Sequence, residues 1–301
     1  MLQIDSHTAL YGVFGDPVRH SRSPVMLCRA FEATGENAAY VAFHVKADKL
    51  GDAVRGVRAL GIRGVNVTIP HKVEVMAFLD ELDETAREVG AVNTIVNRDG
   101  KLIGYNTDGI GYTRSLKEET GVDIRDARIL LLGAGGASRG VGFALAKDAP
   151  AKIVIANRTR EKAEAPAREL SSVADAAGIG WDEIDHIIGN ADIIINTTPI
   201  GMHPREEETP LPAARFRPGV VVSDLIYNPL KTRLLHEAEA VGAIVHGGLG
   251  MFIYQGAYAF EYWTGKPAPV AAMREAVLAA AGAASGEPES KERKESKERG
   301  G

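Results

Sequence analysis

The chain has 301 residues, 45% of them hydrophobic, so it is long enough for two folded domains with buried cores. Its formal net charge of −5 excludes the strongly basic surface typical of nucleic-acid binding, and its single cysteine excludes an internal disulfide framework. The apolar runs are too short to span a bilayer and "MLQIDSHTALYG" lacks a signal-peptide pattern, so we expect a cytoplasmic protein.

Short apolar strands alternate with helical patterns from about residue 8 onward. The strand-like runs are "LYGVFG", "AYVAFHV" and "RGVNVT". The helical runs between them are "SPVMLCRAFEAT", where Cys28 fits an apolar helix face better than a catalytic thiol, and "DKLGDAVRGVRAL". This alternation predicts right-handed βαβ units and a mainly parallel sheet. In "NTIVNRDGKLIGYN", the pair Asp99–Gly100 between two short strands predicts a hairpin.

The pattern restarts after a helical run, "IGYTRSLKEETG". Apolar strands then follow at "ARILLL", "KIVIAN", "ADIIIN", "VVVSDL" and "AIVHG", and two helical runs close the pattern. Strands without alternation are typical of a parallel sheet covered on both faces. We therefore predict an α/β fold with two domains, one formed by residues 1–110 plus 247–284 and a Rossmann-type domain at 111–246. The polar, charged tail, residues 285–301, is expected to be disordered.

The run "LLLGAGGASRG" lies between a predicted strand and a predicted helix. Gly133 and Gly135 match the first two positions of the dinucleotide fingerprint G-x-G-x-x-G, and Ser138 stands at the third. The first glycine permits a tight turn and the second lets backbone amides approach a pyrophosphate. The helix N-terminus that follows offers free amides to a phosphate. This run predicts a dinucleotide site.

The next strand ends in "IVIANRTREKA" rather than in the acidic residue that usually binds the ribose of NAD. Asn157, Arg158, Thr159, Arg160 and Lys162 offer a cationic group suited to a 2'-phosphate. The alternative is an ordinary solvated basic face. Because an arginine in the first turn of a helix opposes the helix dipole, we favour a functional reason and predict NADP as the cofactor.

Two serines precede the first helix in "HSRSPVM". Ser23 before Pro24 fits a helix N-cap, a structural role that leaves Ser21 unexplained. Two hydroxyl groups at a helix entrance would also hold a small carboxylate.

Polar residues end the strand in "GVNVTIPHK". Asn66 and Thr68 stand near its end, and Pro70 is predicted to open a helix with Lys72 in its first turn. The helix dipole would disfavour the charged form of that lysine and suit it to acid/base chemistry. A surface lysine that extends into solvent is an equal alternative on this stretch alone.

The predicted hairpin brings "AVNT" alongside "YNTDG", so Asn93 and Asp108 fall at the same open end. A carboxylate, an amide and Lys72 at neighbouring strand ends predict a site for a polyhydroxylated substrate. The ends of parallel strands are also where open α/β sheets bind ligands.

Nine motifs then occur in order, and with them the chain resembles the shikimate dehydrogenase family from about residue 10 to 280. They are "SRSP", "NVTIPHK", "GAVNT", "GYNTDG", "GAGGASRG", "NRT", "NTTPIGM", "DLIYNP" and "GGLGMFIYQGA". The resemblance implies the reversible reduction of 3-dehydroshikimate to shikimate with NADPH, a step of chorismate and aromatic amino acid biosynthesis. It also implies that the first domain binds substrate and that the second binds NADP.

The resemblance further implies roles for individual residues. Lys72 and Asp108 would form the catalytic pair. Substrate would be bound by Ser21, Ser23, Asn66, Thr68, Asn93, Tyr227 and Gln255. Cofactor would be bound by Glu84, Gly133, Ala134, Gly135, Gly136, Ala137, Ser138, Asn157, Arg158, Thr159, Lys162, Leu225, Gly248 and Met251, the last three lining the nicotinamide side together with Tyr227. We expect a small-molecule substrate, no metal, no nucleic acid or membrane partner, and a monomer or homodimer.

Two other functions fit the same pattern. A quinate/shikimate dehydrogenase would share the fold and accept a further ring hydroxyl, often with NAD, which the "NRTR" run disfavours. A non-catalytic sensor of NADP and substrate would be expected to lack Lys72 or Asp108, and both are present.

Overall fold

The computed structural model describes residues 4–285, which contain two six-stranded sheets with helices packed on them. This architecture confirms the predicted α/β class, with a Rossmann-type second half. The charged tail, predicted as residues 285–301, lies outside the described residues apart from its first residue.

The first sheet has the strand order β2-β1-β3-β5-β6-β4. Its strands are β1 (Ala9–Gly15), β2 (Ala38–His44), β3 (Gly64–Val67), β4 (Glu81–Leu82), β5 (Thr94–Arg98) and β6 (Lys101–Tyr105). β1 pairs in parallel with β2 and β3, whereas β5 runs antiparallel to β3 and β6. The helices of this half are α1 (Ser23–Thr34), α2 (Leu50–Ala59) and α3 (Glu84–Val89).

The hairpin between β5 and β6 forms where the sequence predicts it. Asp99 has φ 53° and Gly100 has φ 92°, and a two-residue hairpin turn of type I' requires positive φ at both positions. The Asn97 side chain accepts a hydrogen bond from the Gly100 amide at 2.8 Å. This turn fixes the register that sets Thr94 opposite Tyr105.

All strands of the second sheet are parallel, in the order β12-β11-β10-β7-β8-β9. They are β7 (Arg128–Leu132), β8 (Lys152–Asn157), β9 (Ala176–Gly180), β10 (Ile193–Asn196), β11 (Val221–Asp224) and β12 (Ile244–His246). The helices of this half are α5 (Gly136–Ala146), α6 (Arg160–Leu170), α7 (Ile184–Ile187) and α8 (Arg233–Ala240). Read from β9, this is the 3-2-1-4-5-6 order of dinucleotide-binding folds, whose switch point lies between β7 and β10.

Three long helices connect the two halves, namely α4 (Asp108–Thr120), α9 (Leu249–Thr264) and α10 (Val270–Ser285). α4 leads from the first sheet to the second, and α9 and α10 return from the second sheet to the first. A Cβ at Gly111 would lie 2.7 Å from the Gln255 amide, so glycine permits the close packing of α4 on α9. This packing carries Gln255 to the ends of the first sheet.

Several predicted element boundaries are wrong. α1 starts at Ser23 with Arg22 in the N-cap position, so Ser23 is not the N-cap residue. No α-helix opens at Pro70; residues 69–73 form turns and a 3-10 helix follows at Glu74–Phe78. The predicted helix dipole at Lys72 is therefore absent.

Two strands, β4 and β9, were not predicted. β4 has two residues, too short to produce an alternating pattern. β9 reads "AAGIG" and lacks a β-branched run, because α6 packs closely upon it. A Cβ at Gly178 would lie 2.6 Å from the Ala163 carbonyl oxygen, so packing selects a small residue over one with high strand propensity.

A buried polar network joins α4 to β11 and β12. The Tyr112 hydroxyl donates to Ser223 Oγ at 2.9 Å, and Ser223 Oγ lies 2.8 Å from His246 Nδ1. His246 Nε2 lies 2.7 Å from Ser115 Oγ. Burial lowers the pKa of His246 to about 4, although Glu119 opposes the shift. The network therefore holds a neutral imidazole, which can accept at one nitrogen and donate at the other.

Replacing His246 with glutamine is expected to remove a pH-dependent part of the free energy of unfolding. An unfolded histidine takes up its proton near pH 6.5 and the folded one only near pH 4. The contribution of His246 to the free energy of unfolding is greatest above pH 6.5. It decreases by about 3 kcal/mol as the pH falls from 6.5 to 4. Burial raises the pKa of Asp224 to about 6, with the opposite effect on stability. That effect cancels in the difference between variant and wild type.

Urea unfolding at a series of pH values between 7 and 4 measures this difference. The variant is expected to be less stable than wild type at pH 7 and to approach it as the pH falls. A difference that stays constant over this range would mean that the pKa of His246 is the same in the folded and unfolded states, contrary to the lowered pKa.

Candidate active site

A cavity of about 430 Å³ lies between the two halves, at the carboxyl ends of β1 and β3 and the start of α4. Its wall contains all nine residues predicted to act in catalysis or substrate binding: Ser21, Ser23, Asn66, Thr68, Lys72, Asn93, Asp108, Tyr227 and Gln255. The predicted nicotinamide residues Leu225, Gly248 and Met251 line the same wall, as does Ala137. Residues far apart in the sequence thus surround one space.

Lys72 and Asp108 form an ion pair inside this cavity. Lys72 Nζ donates to Asp108 Oδ2 at 2.6 Å, and both side chains keep partial exposure, 31% and 23%. Asp108 is the first residue of α4, where the positive end of the helix dipole stabilises a carboxylate. Its other oxygen accepts from Asn93 Nδ2 at 2.9 Å. The pair is therefore held in place and still open to a ligand.

Asn93 is buried and links the hairpin to α4. Its Oδ1 accepts from the Thr107 amide and from Thr94 Oγ1, each at 2.9 Å. Thr107 Oγ1 in turn lies 3.0 Å from the carbonyl oxygen of Gln255 on α9. These bonds fix the Asn93 amide so that its nitrogen points at Asp108, which makes Asn93 a positioning residue.

Two long-range hydrogen bonds hold the loop that carries Lys72. The Lys72 carbonyl accepts from the Val92 amide at 2.7 Å. The neighbouring His71 is buried, with Nε2 2.6 Å from the Val45 carbonyl oxygen. These contacts determine where Lys72 lies.

The Asn66 side chain is fully hydrogen-bonded within the protein. Its Oδ1 accepts from the Tyr40 hydroxyl at 2.7 Å. Its Nδ2 donates to Thr94 Oγ1 at 3.0 Å and to the Asn93 carbonyl at 3.2 Å. Burial raises the pKa of Tyr40 well above its usual value, so its hydroxyl remains a donor. Asn66 supports the cavity wall, and Tyr40 is a supporting residue that the sequence did not reveal.

Hydroxyl groups line the part of the cavity beside α1. Ser21 Oγ accepts from the Ser23 amide at 3.3 Å, so Ser21 takes the local helix-entry role predicted for Ser23. Thr68 follows β3, and its amide donates to the Phe14 carbonyl at 2.9 Å. With Ser21, Ser23 and Thr68 in one wall, three hydroxyl groups are available to an anionic group.

The cavity is also lined by Tyr227 and Gln255. The Tyr227 ring stacks on Phe252, with ring centroids 4.8 Å apart. Burial raises the pKa of Tyr227, so its phenol stays protonated and able to donate. Gln255 Nε2 donates to the Phe252 carbonyl one turn earlier on its own helix, at 2.8 Å. Its Oε1 is free of any hydrogen bond to the described residues.

A second cavity, of about 370 Å³, lies at the carboxyl ends of β7, β8 and β10. The predicted residues Gly133, Ala134, Gly135, Asn157 and Arg158 line it. The sequence analysis did not assign the remaining lining residues, which are Trp181, Thr197, Thr198, Pro199, Ile200, Arg205 and Glu208. Thr197 to Ile200 belong to the motif "NTTPIGM", so a signal for them existed, whereas Trp181, Arg205 and Glu208 lie outside every motif.

The glycine loop has the geometry that a pyrophosphate requires. Gly133 has φ +100°, and a Cβ there would lie 2.8 Å from Thr198 Cγ2. Nothing lies within 4 Å of a Cβ at Gly135 or Gly136, so space remains at the N-terminus of α5. Ser138 is fully buried, and its Oγ lacks a hydrogen-bond partner among residues 4–285. Its small side chain allows α5 to pack on the sheet.

The basic residues after β8 fall into two groups. Arg160 pairs with Glu164 at 3.1 Å and with Glu183 at 2.7 Å, which explains an arginine in the first turn of α6 without a ligand. Arg158 is exposed and has no ion-pair partner within the described part of the chain. Asn157 Nδ2 donates to the Thr159 carbonyl at 3.0 Å and shapes the turn. Arg158 is therefore a cation available to a phosphate in this cavity, which Arg205 also lines.

Some predicted cofactor residues line neither cavity. Glu84 is exposed at the start of α3, and Thr159 and Lys162 are exposed at the start of α6. Gly136 and Ser138 lie on α5 beside the glycine loop. Among residues 4–285 there is no cluster of three or more side chains suited to a metal ion, and no helix there could cross a membrane.

Comparison with known proteins gives consistent matches along the chain. Residues 13–95 match the family model of the shikimate dehydrogenase substrate binding domain. Residues 115–205 match that of shikimate / quinate 5-dehydrogenase, and residues 248–278 match that of the shikimate 5'-dehydrogenase C-terminal domain.

Individual relatives match over nearly their whole length. The chain is 53% identical to the shikimate dehydrogenase (NADP(+)) of Geobacillus kaustophilus, over 90% of this chain and 98% of the relative. A crystal structure of a shikimate dehydrogenase in complex with NADP+ is 49% identical with a TM-score of 0.86, covering 92% of this chain and 97% of that one. Quinate dehydrogenase from Corynebacterium glutamicum in complex with NAD is 30% identical with a TM-score of 0.84, covering 90% and 99%.

Proposed function

The chain belongs to the shikimate dehydrogenase family, and we propose that it catalyses the reversible NADPH-dependent reduction of 3-dehydroshikimate to shikimate. This reaction is a step of chorismate and aromatic amino acid biosynthesis. The observation that carries the proposal is the single cavity that collects every predicted catalytic and substrate residue beside the predicted nicotinamide residues. A cavity of about 430 Å³ is within the usual range for a small-molecule site.

The polar groups of the cavity suit a substrate with one carboxylate and several hydroxyl groups. We assign the carboxylate to the hydroxyl groups of Ser21, Ser23 and Thr68, and the Tyr227 hydroxyl lines the same cavity. Gln255 faces the ring hydroxyls, whereas Asn93, also predicted to bind substrate, acts through Asp108 because its amide group is already hydrogen-bonded within the protein. Asn66 keeps Asn93 and β3 in place through its own saturated hydrogen bonds. Neutral donors bind a carboxylate through hydrogen bonds while leaving Lys72 free for the reacting oxygen.

The Lys72–Asp108 pair transfers the proton to and from the substrate oxygen. On reduction, negative charge develops on the oxygen at substrate C3, and the Lys72 ammonium group donates a proton to it. On oxidation, Lys72 accepts the proton from the shikimate hydroxyl. Asp108 orients the ammonium group through the 2.6 Å hydrogen bond and is itself oriented by Asn93. Proton transfer from a fixed group contributes ~10²–10⁴-fold to the rate.

The residues present fit NADP. The open space at Gly135 and Gly136 admits a pyrophosphate at the N-terminus of α5. Arg158 supplies a cation for the adenosine 2'-phosphate. We assign the adenosine part to the 370 Å³ cavity and the nicotinamide side to Leu225, Gly248 and Met251. When bound, the cofactor supplies or accepts the hydride. The roles of Glu84, Thr159 and Lys162 stay predictions, and Glu84 has the least structural support.

Turnover of shikimate and of quinate with each of NADP+ and NAD+ tests the proposal. We expect rapid NADPH formation from shikimate with NADP+, and much lower kcat/KM for the other three combinations. Higher kcat/KM for quinate with NAD+ would instead support a quinate dehydrogenase. Absence of turnover by correctly folded protein that still binds NADP+ would support a non-catalytic sensor.

Three further expectations stay predictions. They are the domain boundaries near residues 110 and 247, the assembly as a monomer or homodimer, and the cytoplasmic location. The first is supported by the course of α4, which leaves the first sheet at Asp108 and ends before β7 of the second.

A further inference from the structure

The second cavity has a cation on each of two opposite sides. Arg158 follows β8, and Arg205 lies in the loop after β10. In the sheet, β8 and β10 lie on either side of β7, and the glycine loop that follows β7 lines the cavity between the two arginines. The motif "NRT" accounts for Arg158, but no motif includes Arg205. The cavity therefore contains a basic residue that the family pattern did not assign.

The Arg205 side chain is only weakly held in the absence of a ligand. Its one ion pair among the described residues is with Glu208, at 3.5 Å between Nη1 and Oε2, and the side chains are 62% and 45% exposed. Exposed pairs at this separation contribute little, so the guanidinium group can exchange this partner for a stronger one.

The backbone beneath Arg205 is better fixed. The Arg205 amide donates to the Met202 carbonyl at 2.9 Å, and the Glu208 amide donates to the Arg205 carbonyl at 3.2 Å. Arg233 on α8 donates to the Glu207 carbonyl at 2.7 Å and ties the loop to the second sheet. The loop thus presents a weakly paired guanidinium group from a fixed backbone.

We propose that Arg205 is a second cationic ligand of the adenosine 2'-phosphate, opposite Arg158, and that it sets the preference for NADP over NAD. This proposal rests on the proposed function, since it concerns the same cofactor. A guanidinium group matches the phosphate oxygens in a bidentate manner. NAD carries a hydroxyl group at this position, so the contact would distinguish the two cofactors.

Glu208 gives this arrangement a second effect. Its carboxylate lines the same cavity, where it would repel a phosphate and accept a hydrogen bond from the ribose hydroxyl of NAD. Pairing with Arg205 compensates that charge. Removing Arg205 both deletes a phosphate ligand and leaves a free carboxylate, whereas removing the Glu208 charge favours the phosphate.

Trp181 provides a binding signal that does not depend on catalysis. The chain has two tryptophans, and Trp181 lines this cavity. Trp263 lies in the other half of the molecule, where its Nε1 donates to the Ile95 carbonyl. A change in tryptophan fluorescence on adding a nucleotide therefore reports on Trp181.

Fluorescence titration of the full chain with NADP+ and with NAD+ tests the proposal. Arg205→Ala is expected to raise the dissociation constant for NADP+ about tenfold and to leave that for NAD+ unchanged or lower. Glu208→Gln is expected to lower the dissociation constant for NADP+. Arg55→Ala, which removes an exposed arginine paired with an acidic residue three positions away in the first half, is the matched control and should change neither.

Equal weakening of both nucleotides by Arg205→Ala would place Arg205 against a part that they share and would overturn the proposal. Unchanged binding of both would overturn it as well. Failure of the proposed function gives a different result, because wild-type protein without shikimate turnover would still report nucleotide binding through Trp181.

Discussion

Replacing Lys72 by alanine is expected to lower kcat for shikimate oxidation by ~10²–10⁴-fold and to change KM for shikimate only slightly. Among residues 4–285, Lys72 is the one lysine in the wall of the substrate cavity, and its hydrogen bond to Asp108 holds its ammonium group there. The hydroxyl groups assigned to the substrate carboxylate remain in the variant, so ground-state binding persists. The loss falls on the step in which the proton moves.

Two further variants separate proton transfer from a merely structural role. Arginine at position 72 keeps the charge but does not release a proton, so Lys72→Arg is expected to be nearly as slow as Lys72→Ala. A small primary amine added to Lys72→Ala is expected to restore part of kcat. Lys101→Ala removes a lysine whose Nζ lies at the same 2.6 Å from a carboxylate, Glu81, outside the cavity, and should leave kcat unchanged. A raised KM with unchanged kcat in Lys72→Ala would make Lys72 a binding group.

Local patterns predicted much of the fold because they reflect local physics. Positive φ at Asp99 and Gly100 is a property of the turn itself, so two residues predicted the hairpin and, through its register, the meeting of Asn93 with Asp108. The continuous apolar strands of the second sheet were equally clear, because a strand covered on both faces has no polar side. β9 was not predicted, because close packing against α6, rather than strand propensity, selects its residues.

In the candidate site, too, local motifs were informative and long-range contacts were not predicted. Lys72 and Asp108, which the motifs singled out, lie in the wall of one cavity, but the helix dipole inferred to disfavour the charged form of Lys72 is absent because no helix begins at Pro70. The contacts that actually fix Lys72 come from Val92 and, through His71, from Val45. Such pairings over tens of residues produce no periodicity or spacing in the sequence.

The two arginines of "NRTR" make this limit concrete. Arg158 and Arg160 are equivalent as sequence, yet within the described part of the chain only Arg160 forms ion pairs, with Glu164 on its own helix and with Glu183 in the 3-10 helix that follows β9. The first partner could be read from the spacing of four residues, whereas the second depends on a strand that was not predicted. The availability of Arg158 for a phosphate is thus a property of the tertiary structure.

Replacing Asp108 by asparagine is expected to lower kcat by a factor similar to that for Lys72→Ala, ~10²–10⁴-fold. Asparagine has the same shape and keeps an oxygen that can accept from Asn93 Nδ2. Its amide nitrogen then faces Lys72 Nζ, so two donors oppose each other where the 2.6 Å hydrogen bond was. Lys72 loses the group that orients it, while the hydroxyl groups of Ser21 and Thr68, which we assign to the substrate carboxylate, are unchanged.

The measurement is kcat with shikimate and with shikimate deuterated at C3. Slower chemistry in Asp108→Asn is expected to raise the isotope effect on kcat, which a global folding defect would not do. Because Lys72 and Asp108 act as one unit, the double variant Lys72→Ala/Asp108→Asn should be no slower than the slower single variant. If the two losses instead multiplied in the double variant, the two side chains would act independently and the proposed proton-handling pair would be wrong.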